Sequence, residues 1–558
     1  MQREIFINVE GNETRVAIKE KGRLSEIHIE RGADDSVVGN IYKGVVTDVL
    51  PGMEAAFVDV GLERNVFLHV NDAQVLKKNN RKSAKINQLV KKGDKIMLQL
   101  VKEPLGTKGA RATCEVAIPG RYLVLMVNSA HIGVSRRISE EKERNRLRKI
   151  VQELKPAGCG LIVRTVAESA KKEELRRDLN YLQHQWNLIR QGHKKNKAPS
   201  LLYRDLELSQ KVVRDVFTED FERLVLDNLQ VYKNLIKLTN SVAPHLRPKI
   251  ELYQGEIPIF TRYHVEGEIK KALDRKVWLN SGGYLVIDDT EALTAIDVNT
   301  GKFVGSNNLD DTILKTNLEA AREIPQQLKL RDIGGIIIVD FIDMEREKDQ
   351  NEVMKAFQKE LEKDNTKTAI MGLTKLGLVE MTRKKVKQGI GEYLQQECPY
   401  CEGSGKTLTP ESGALEAIHQ LKTKIGNEEF EAVLMEVNPE VAALLIGSGG
   451  KNLKDLENKL NKDIYVRGNE SLHIKDIRFL QTGSKEELAQ SAPPVKKGEY
   501  LGVYIQDKHT NNPEDGIARV EGYVIDIIDG GKLIGEKVTV RIEEVSRTFA
   551  RARIIDKV

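Results

Sequence analysis

Two apolar runs, Leu293-Thr-Ala-Ile-Asp-Val-Asn299 and Gly335-Ile-Ile-Ile-Val-Asp340, each deliver an aspartate at the end of a strand-like segment. No other feature constrains the middle of the chain as strongly. A helical pattern over Ser306–Leu330 lies between them and a further strand, Gly282–Asp288, precedes them, so the segment reads as a sheet with a helical crossover. Side chains alternate along a strand, which projects Asp297 and Asn299 from one face. Open α/β sheets place ligands at strand ends. Two carboxylates converging there repel each other unless a cation is present. Hard oxygens in small number suit Mg2+, which keeps several waters and takes up phosphate oxygens. Each aspartate could equally cap the segment that follows it. Asp343 reads in that structural way, as the cap of a helix running to about Lys363.

A chain of 558 residues is too long for one core, and its 40% hydrophobic content is enough for several packed domains. Charged residues make up 31% but the net charge is only +5, so basic character is local. The clearest case is Val75–Arg111, where eleven Lys/Arg face two acidic residues. Such a run is either a solvated loop or a grip on a phosphate backbone. No apolar run reaches the ~20 residues of a membrane span, and the charged start MQREIFINVEGNETRVAI lacks the apolar core of a signal peptide. Of four cysteines, only Cys398 and Cys401 are close together. That is the pattern of a reducing compartment, and the expected location is the cytoplasm.

Around this segment the periodicities change. Glu4–Val9 and Thr14–Ile18 form a hairpin. From Val37, short β-branched strands with Gly-marked turns suggest a small barrel, followed by a basic loop over Lys77–Lys95 and a strand Lys95–Val101. Ser139 can cap a helix whose first turn carries Glu140 and Glu141. Gly160–Arg164 is a strand, and Glu173–Gln191 is a helix with a core stripe of Leu175, Leu179, Leu182, Trp186 and Ile189. Asp205–Trp278 alternates helix and strand. Phe430–Leu480 is an α/β module with a Gly-rich turn, Gln481–Lys497 a polar Pro-containing linker, and Gly498–Val558 a second small-barrel candidate.

The segments Thr294-Ala-Ile-Asp-Val-Asn-Thr, Asn317-Leu-Glu-Ala-Ala and Asp332-Ile-Gly-Gly-Ile-Ile-Ile-Val-Asp-Phe-Ile-Asp-Met resemble the catalytic segments of the RNase E/G family of bacterial endoribonucleases. The similarity runs from near residue 1 to about 410. The resemblance implies that Asp297 and Asp340 hold a catalytic Mg2+ and that Asn299 helps position the scissile phosphate. It further implies cleavage of single-stranded RNA by a metal-activated water, leaving 5′-phosphate and 3′-hydroxyl ends, in RNA processing and mRNA decay.

The implied fold is multidomain α+β. An RNase H-like subdomain (1–36 and 205–278) is interrupted by an S1 (OB) barrel (37–118) and a 5′-sensor region (119–204). A DNase I-like catalytic subdomain (279–396), a zinc link (397–410), a small α/β, KH-like domain (411–480), a linker (481–497) and a C-terminal TRAM-like β-barrel (498–558) follow. In the S1 segment Phe57 and Phe67 stand where the family sets aromatics against bases, and Lys102 and Lys108 match lysines along the RNA path. Gly160-Leu-Ile-Val-Arg-Thr165 is similar to the 5′-monophosphate sensor, with Arg164 as a bidentate fork and Thr165 as a hydroxyl donor. Lys367 stands where several members have Arg, a point charge in place of a fork.

The turn Cys398-Pro-Tyr-Cys401 has zinc-knuckle spacing but supplies two of the four ligands a structural Zn2+ takes. In the family, two chains share one ion, implying a homodimer or a tetramer. A redox CxxC would need a thioredoxin-like setting that the local sequence does not supply. Leu445-Ile-Gly-Ser-Gly-Gly-Lys-Asn-Leu resembles the IGxxG turn of a KH domain; a P-loop is excluded because Asn452 follows Lys451. Asp515–Val524 and Gly535–Ile542 look like a TRAM domain, with Arg547, Arg551 and Arg553 facing phosphate. A non-catalytic RNA-binding or ribosome-associated factor could use the same modules; the Asp297/Asn299/Asp340 set separates it from the nuclease. A DNA-directed or RNase H-type nuclease fits the single-strand grips less well.

Overall fold

The computed structural model describes residues 2–557 apart from 33–36, 77–83, 104–108, 302–308, 365, 375, 386–388, 448–449, 510–511 and 547–548. Its contacts divide the chain into two compact units, Met1–Gln395 and Gln396–Val558.

In the first unit, strands Arg3–Glu10, Glu13–Glu20 and Arg23–Arg31 form an antiparallel meander. Arg223–Leu226 and Ile250–Leu252 extend it in parallel on the side of the first strand. Ile5-Phe6-Ile7 is continuously apolar because both faces are covered. Ile5 and Ile7 pack with Phe217, Phe221 and Leu235 on one side, and Phe6 packs with Phe260 and Ile269 on the other.

Strands Ile41–Leu50, Ala55–Asp59, Val66–His69, Arg111–Thr113 and Lys95–Lys102 close into a ring, since the first pairs with both the second and the last. Val46, Val58, Leu68 and Leu98 fill it. Of the basic stretch read as a loop, 77–83 lies outside the described residues, and a short helix, Ile86–Leu89, occupies part of the rest.

A four-stranded sheet follows, in the order Ile132–Val134, Cys159–Val163, Leu123–Val127, Ala117–Pro119, with helices Glu141–Leu154 and Lys172–Lys195 sharing its core. Leu175, Leu179, Leu182 and Ile189 are buried as the stripe requires, with Trp186 half-buried beside them. The cap of the first helix is Glu140, without a side-chain bond, rather than Ser139.

The last sheet of this unit has six strands in the order Lys276–Trp278, Tyr284–Asp289, Leu293–Asn299, Gly335–Asp340, Leu378–Arg383, Thr368–Leu373. Neighbours are antiparallel except Leu293–Asn299 with Gly335–Asp340, which run parallel. Helix Leu309–Arg331 makes that crossover. With helix Glu347–Leu361 it covers one face, where Leu285, Ile296, Val298, Ile337 and Val339 form a core with Ile324 and Phe357. Alternation therefore leaves Asp297, Asn299 and Asp340 on the other face.

The second unit has a three-stranded sheet, Asp463–Gly468, Ala432–Val437, Ile477–Gly483, and a six-stranded one, Tyr500–Tyr504, Lys537–Val545, Phe549–Lys557, Tyr523–Ile528, Gly516–Val520, Asp507–Lys508. The segment 481–497 is not a linker throughout. It holds the end of strand Ile477–Gly483 and a helix, Lys485–Ser491. Ser484 and Glu487 make the capping box of that helix, and Leu488 is buried with Ala432, Leu434 and Tyr465. The S-x-x-E signal and the buried leucine were masked in sequence by the surrounding polar residues.

Candidate functional site

Asp297 and Asp340 are register partners at the ends of the two parallel strands, and both are exposed. Adjacent strands lie about 4.8 Å apart, so the two carboxylates stand side by side. Asn299, two residues on, donates from Nδ2 to Asp297 Oδ2 at 2.7 Å. Partial desolvation raises the Asp340 pKa above its ordinary value, and the negative charges of Asp297 and Asp343 push it the same way. Among the described residues no ion pair offsets either aspartate. Among the described residues no group of three or more His, Cys, Asp or Glu side chains has the geometry of a complete metal cage.

Asp343 does not cap the following helix, whose N-cap is Arg346. Its place is set from behind. Asn317, fully buried on helix Leu309–Arg331, donates Nδ2 to the Ile342 carbonyl (2.7 Å) and accepts from the Ile342 N–H at Oδ1 (3.1 Å). This two-way clamp fixes the turn that joins Asp340 to Asp343, and Phe341 anchors it edge-on against Phe357.

The other residues singled out in sequence are spread over further elements. Phe57 and Phe67 are cross-strand partners on the barrel, half-exposed, with ring centroids 6.0 Å apart. His69 continues the row beside Phe67. Lys102 is exposed at the end of its strand; Lys108 lies outside the described residues. Arg164 is already engaged: its Nη1 donates to the Gly120 carbonyl (2.6 Å) and to Asp215 Oδ1 (2.5 Å). Thr165 Oγ1 is 2.8 Å from Ser135 Oγ. Asp215 in turn pairs with Arg214. Lys367 precedes strand Thr368–Leu373 and its carbonyl accepts from the Lys384 N–H at 3.0 Å. Among the described residues no hydrogen bond or ion pair joins Lys367 to Arg164 or Thr165.

In the second unit Cys398 is exposed in a turn where the Cys401 and Tyr400 N–H groups point at its sulfur and lower its pKa. The Gly405 N–H lies 3.3 Å from Cys401 Sγ. The Cys398 thiol is thereby biased toward its thiolate form. Cys114 and Cys159 are buried, as core residues are. Gly447 and Gly450 take positive φ between helices Pro439–Ile446 and Lys451–Leu460. In the six-stranded sheet, Arg551 and Arg553 are paired with Asp526 and Glu543, and Arg547 lies outside the described residues. Exposed Tyr500 and Tyr504 alternate on an edge strand opposite Arg541 and Lys537, a basic and aromatic row that the sequence reading missed.

Residues 117–386 match the model of the Ribonuclease E/G family, 397–482 that of the RNase E/G, Thioredoxin-like domain, and 494–555 that of the TRAM domain. Ribonuclease G of Salmonella typhimurium is 43% identical over 474 residues, covering 84% of this chain and 97% of its own. Ribonuclease G of Haemophilus influenzae is 42% identical, covering 83% and 96%. Ribonuclease E of Nostoc is 43% identical over 396 residues, covering 70% and 57%. The chain belongs to the ribonuclease E/G family. The module read as KH-like is therefore the family's thioredoxin-like domain. The IGxxG likeness reached no further than one helix–turn–helix, where positive-φ glycines serve any tight reversal. No helix among the described residues is long and apolar enough to cross a membrane.

Proposed function

We propose that this chain is an endoribonuclease that cuts single-stranded RNA in RNA processing and mRNA decay, using Mg2+ held by Asp297 and Asp340. One observation carries the reading: two exposed carboxylates are register partners at parallel strand ends, without a counter-cation among the described residues. An RNA-binding or ribosome-associated factor would use the barrels but not that pair. When bound, Mg2+ would make a water a competent nucleophile at neutral pH and offset charge on the phosphate, giving 5′-phosphate and 3′-hydroxyl ends. The chain's own residues do the rest. Asn299 holds the Asp297 carboxylate by its amide. Asn317 fixes the turn after Asp340, and Asp343 adds negative potential beside it.

Phe57 and Phe67 would stack on unpaired bases, each worth about 1–3 kcal/mol, with Lys102 and Lys108 along the backbone. Arg164 and Thr165, with Lys367, would take a 5′-monophosphate. Because Arg164 is held by Asp215, end sensing costs that pair, so we expect a modest preference. Cys398 and Cys401 of two chains would share one Zn2+, giving a homodimer or a tetramer of such dimers. The location proposed is the cytoplasm.

The test is one oligonucleotide carrying a 5′-monophosphate or a 5′-triphosphate, incubated with Mg2+ or EDTA. Internal cleavage in Mg2+, none in EDTA, and faster cleavage of the monophosphate are expected. Cleavage in EDTA would refute the metal reading, and equal rates would refute end sensing.

A further inference from the structure

Trp278 sits on the edge strand of the six-stranded sheet and is 65% exposed, high for so large an apolar ring. The register explains why it stands out. Val277 turns into the core, so its neighbours Lys276 and Trp278 face the open side. Trp278 pairs with Tyr284, and Tyr284 pairs with Asn299. Lys276 pairs with Val286, Val286 with Asp297, and Asp297 with Asp340. Two adjacent rows on one face therefore join an aromatic pair to the site, one ending at Asn299 and the other at the carboxylates, one to three strand spacings away, about 5–15 Å across the strands. The Trp278 and Tyr284 rings meet edge-to-face at 5.4 Å, and Lys276 Nζ lies 4.1 Å and 3.4 Å from their centroids. Gly301, with φ +62°, lets the chain beyond Asn299 pass against the Gly282 carbonyl, where a Cβ would clash, beside the Tyr284 ring.

We infer that Trp278 and Tyr284 form a stacking platform for an unpaired nucleobase flanking the scissile phosphate, with the Lys276 ammonium that rests against the rings adding positive charge to the patch. This rests on the nuclease reading above and adds a substrate subsite to it. The occupant is RNA rather than a second protein surface because the patch interleaves aromatic rings with a cation and runs on into the phosphate-handling carboxylates. An aromatic face accepts any base, so the subsite fixes position without reading sequence.

The experiment has a binding arm and a cleavage arm. Trp278 and Trp186 are the two tryptophans of the chain. In a Trp186→Phe, Asp297→Asn background, titration with a 5′-monophosphorylated oligoribonucleotide should quench the remaining fluorescence, and one abasic position near the cut should abolish the quench. In the cleavage arm Trp278→Ala should lower kcat/KM about tenfold on intact RNA. It should make no difference on the abasic RNA, keep its thermal midpoint, and be largely rescued by Trp278→Phe. Absence of quench, or equal losses on intact and abasic RNA, would overturn the platform. So would a changed particle mass in Trp278→Ala, which would assign the face to a second copy. If the wild type cuts nothing while the quench persists, the nuclease reading fails and the base-binding site stands.

Discussion

The strand Gly335–Asp340 carries an acidic cluster near each end, and the two are built on opposite principles. At its start, Arg383 is 2% exposed and donates to Asp332 (3.0 Å), Asp364 (2.7 Å) and the Ile333 carbonyl (2.7 Å). Arg383 is the register partner of Gly335. Both carboxylates there are also largely withdrawn from water. At the other end, Asp340, Asp297 and Asp343 are near one another with no cation among the described residues, and partial desolvation together with the two neighbouring charges makes Asp340 hold its proton more tightly. A charge kept for the fold brings its counter-ion with it, because an unpaired buried charge costs several kcal/mol. On the function proposed above, a charge kept for chemistry is left exposed and uncompensated, ready for an ion from outside.

That contrast can be broken from either end. The largest effect should come from Asp340→Asn: a loss of cleavage of about 10²–10³-fold or more, read in single-turnover assays, with RNA affinity near that of the wild type. Near-normal cleavage would put Asp340 in the structural class. Next, Arg383→Leu leaves two buried carboxylates unpaired and should cost about 3–5 kcal/mol in urea unfolding, with the metal site affected only through the fold. The smallest effect sharpens the comparison. In the metal-free protein Asp340 holds its proton more tightly than an ordinary carboxylate, so Mg2+ binding, which must displace that proton, should have an acid limb at a correspondingly higher pH. Asp343→Asn removes one of the neighbouring charges and should shift that acid limb downward with cleavage retained. An unmoved limb would show that Asp343 does not influence the pair.

Much of this is legible in the sequence alone. Asp297 and Asp340 could be placed at strand ends because apolar runs announce strands and a helical pattern between them announces the crossover. The helix stripe of Leu175, Leu179, Leu182 and Ile189 was equally readable. What could not be read was anything set by a partner distant in sequence. Asp343 has the local signature of a cap, and only the Asn317 clamp on Ile342 shows that it belongs to the turn beside Asp340. Arg164 reads as a free phosphate fork until Asp215 is seen beside it. Trp278 and Tyr284 straddle a Gly turn, and their shared face becomes evident only from the register with Asn299. The glycine turn after Leu445 misled because a nine-residue likeness specifies a turn, not a domain.

Isothermal titration of Mg2+, with Mn2+ as a second probe, tests the central claim most directly, using the wild type, Asp297→Asn and Asp340→Asn in the presence of a non-cleavable oligoribonucleotide. One ion per chain should bind the wild type, and either substitution should remove that heat while the oligonucleotide remains bound. Undiminished stoichiometry and affinity in both variants would contradict the account, since the ion would then be held elsewhere.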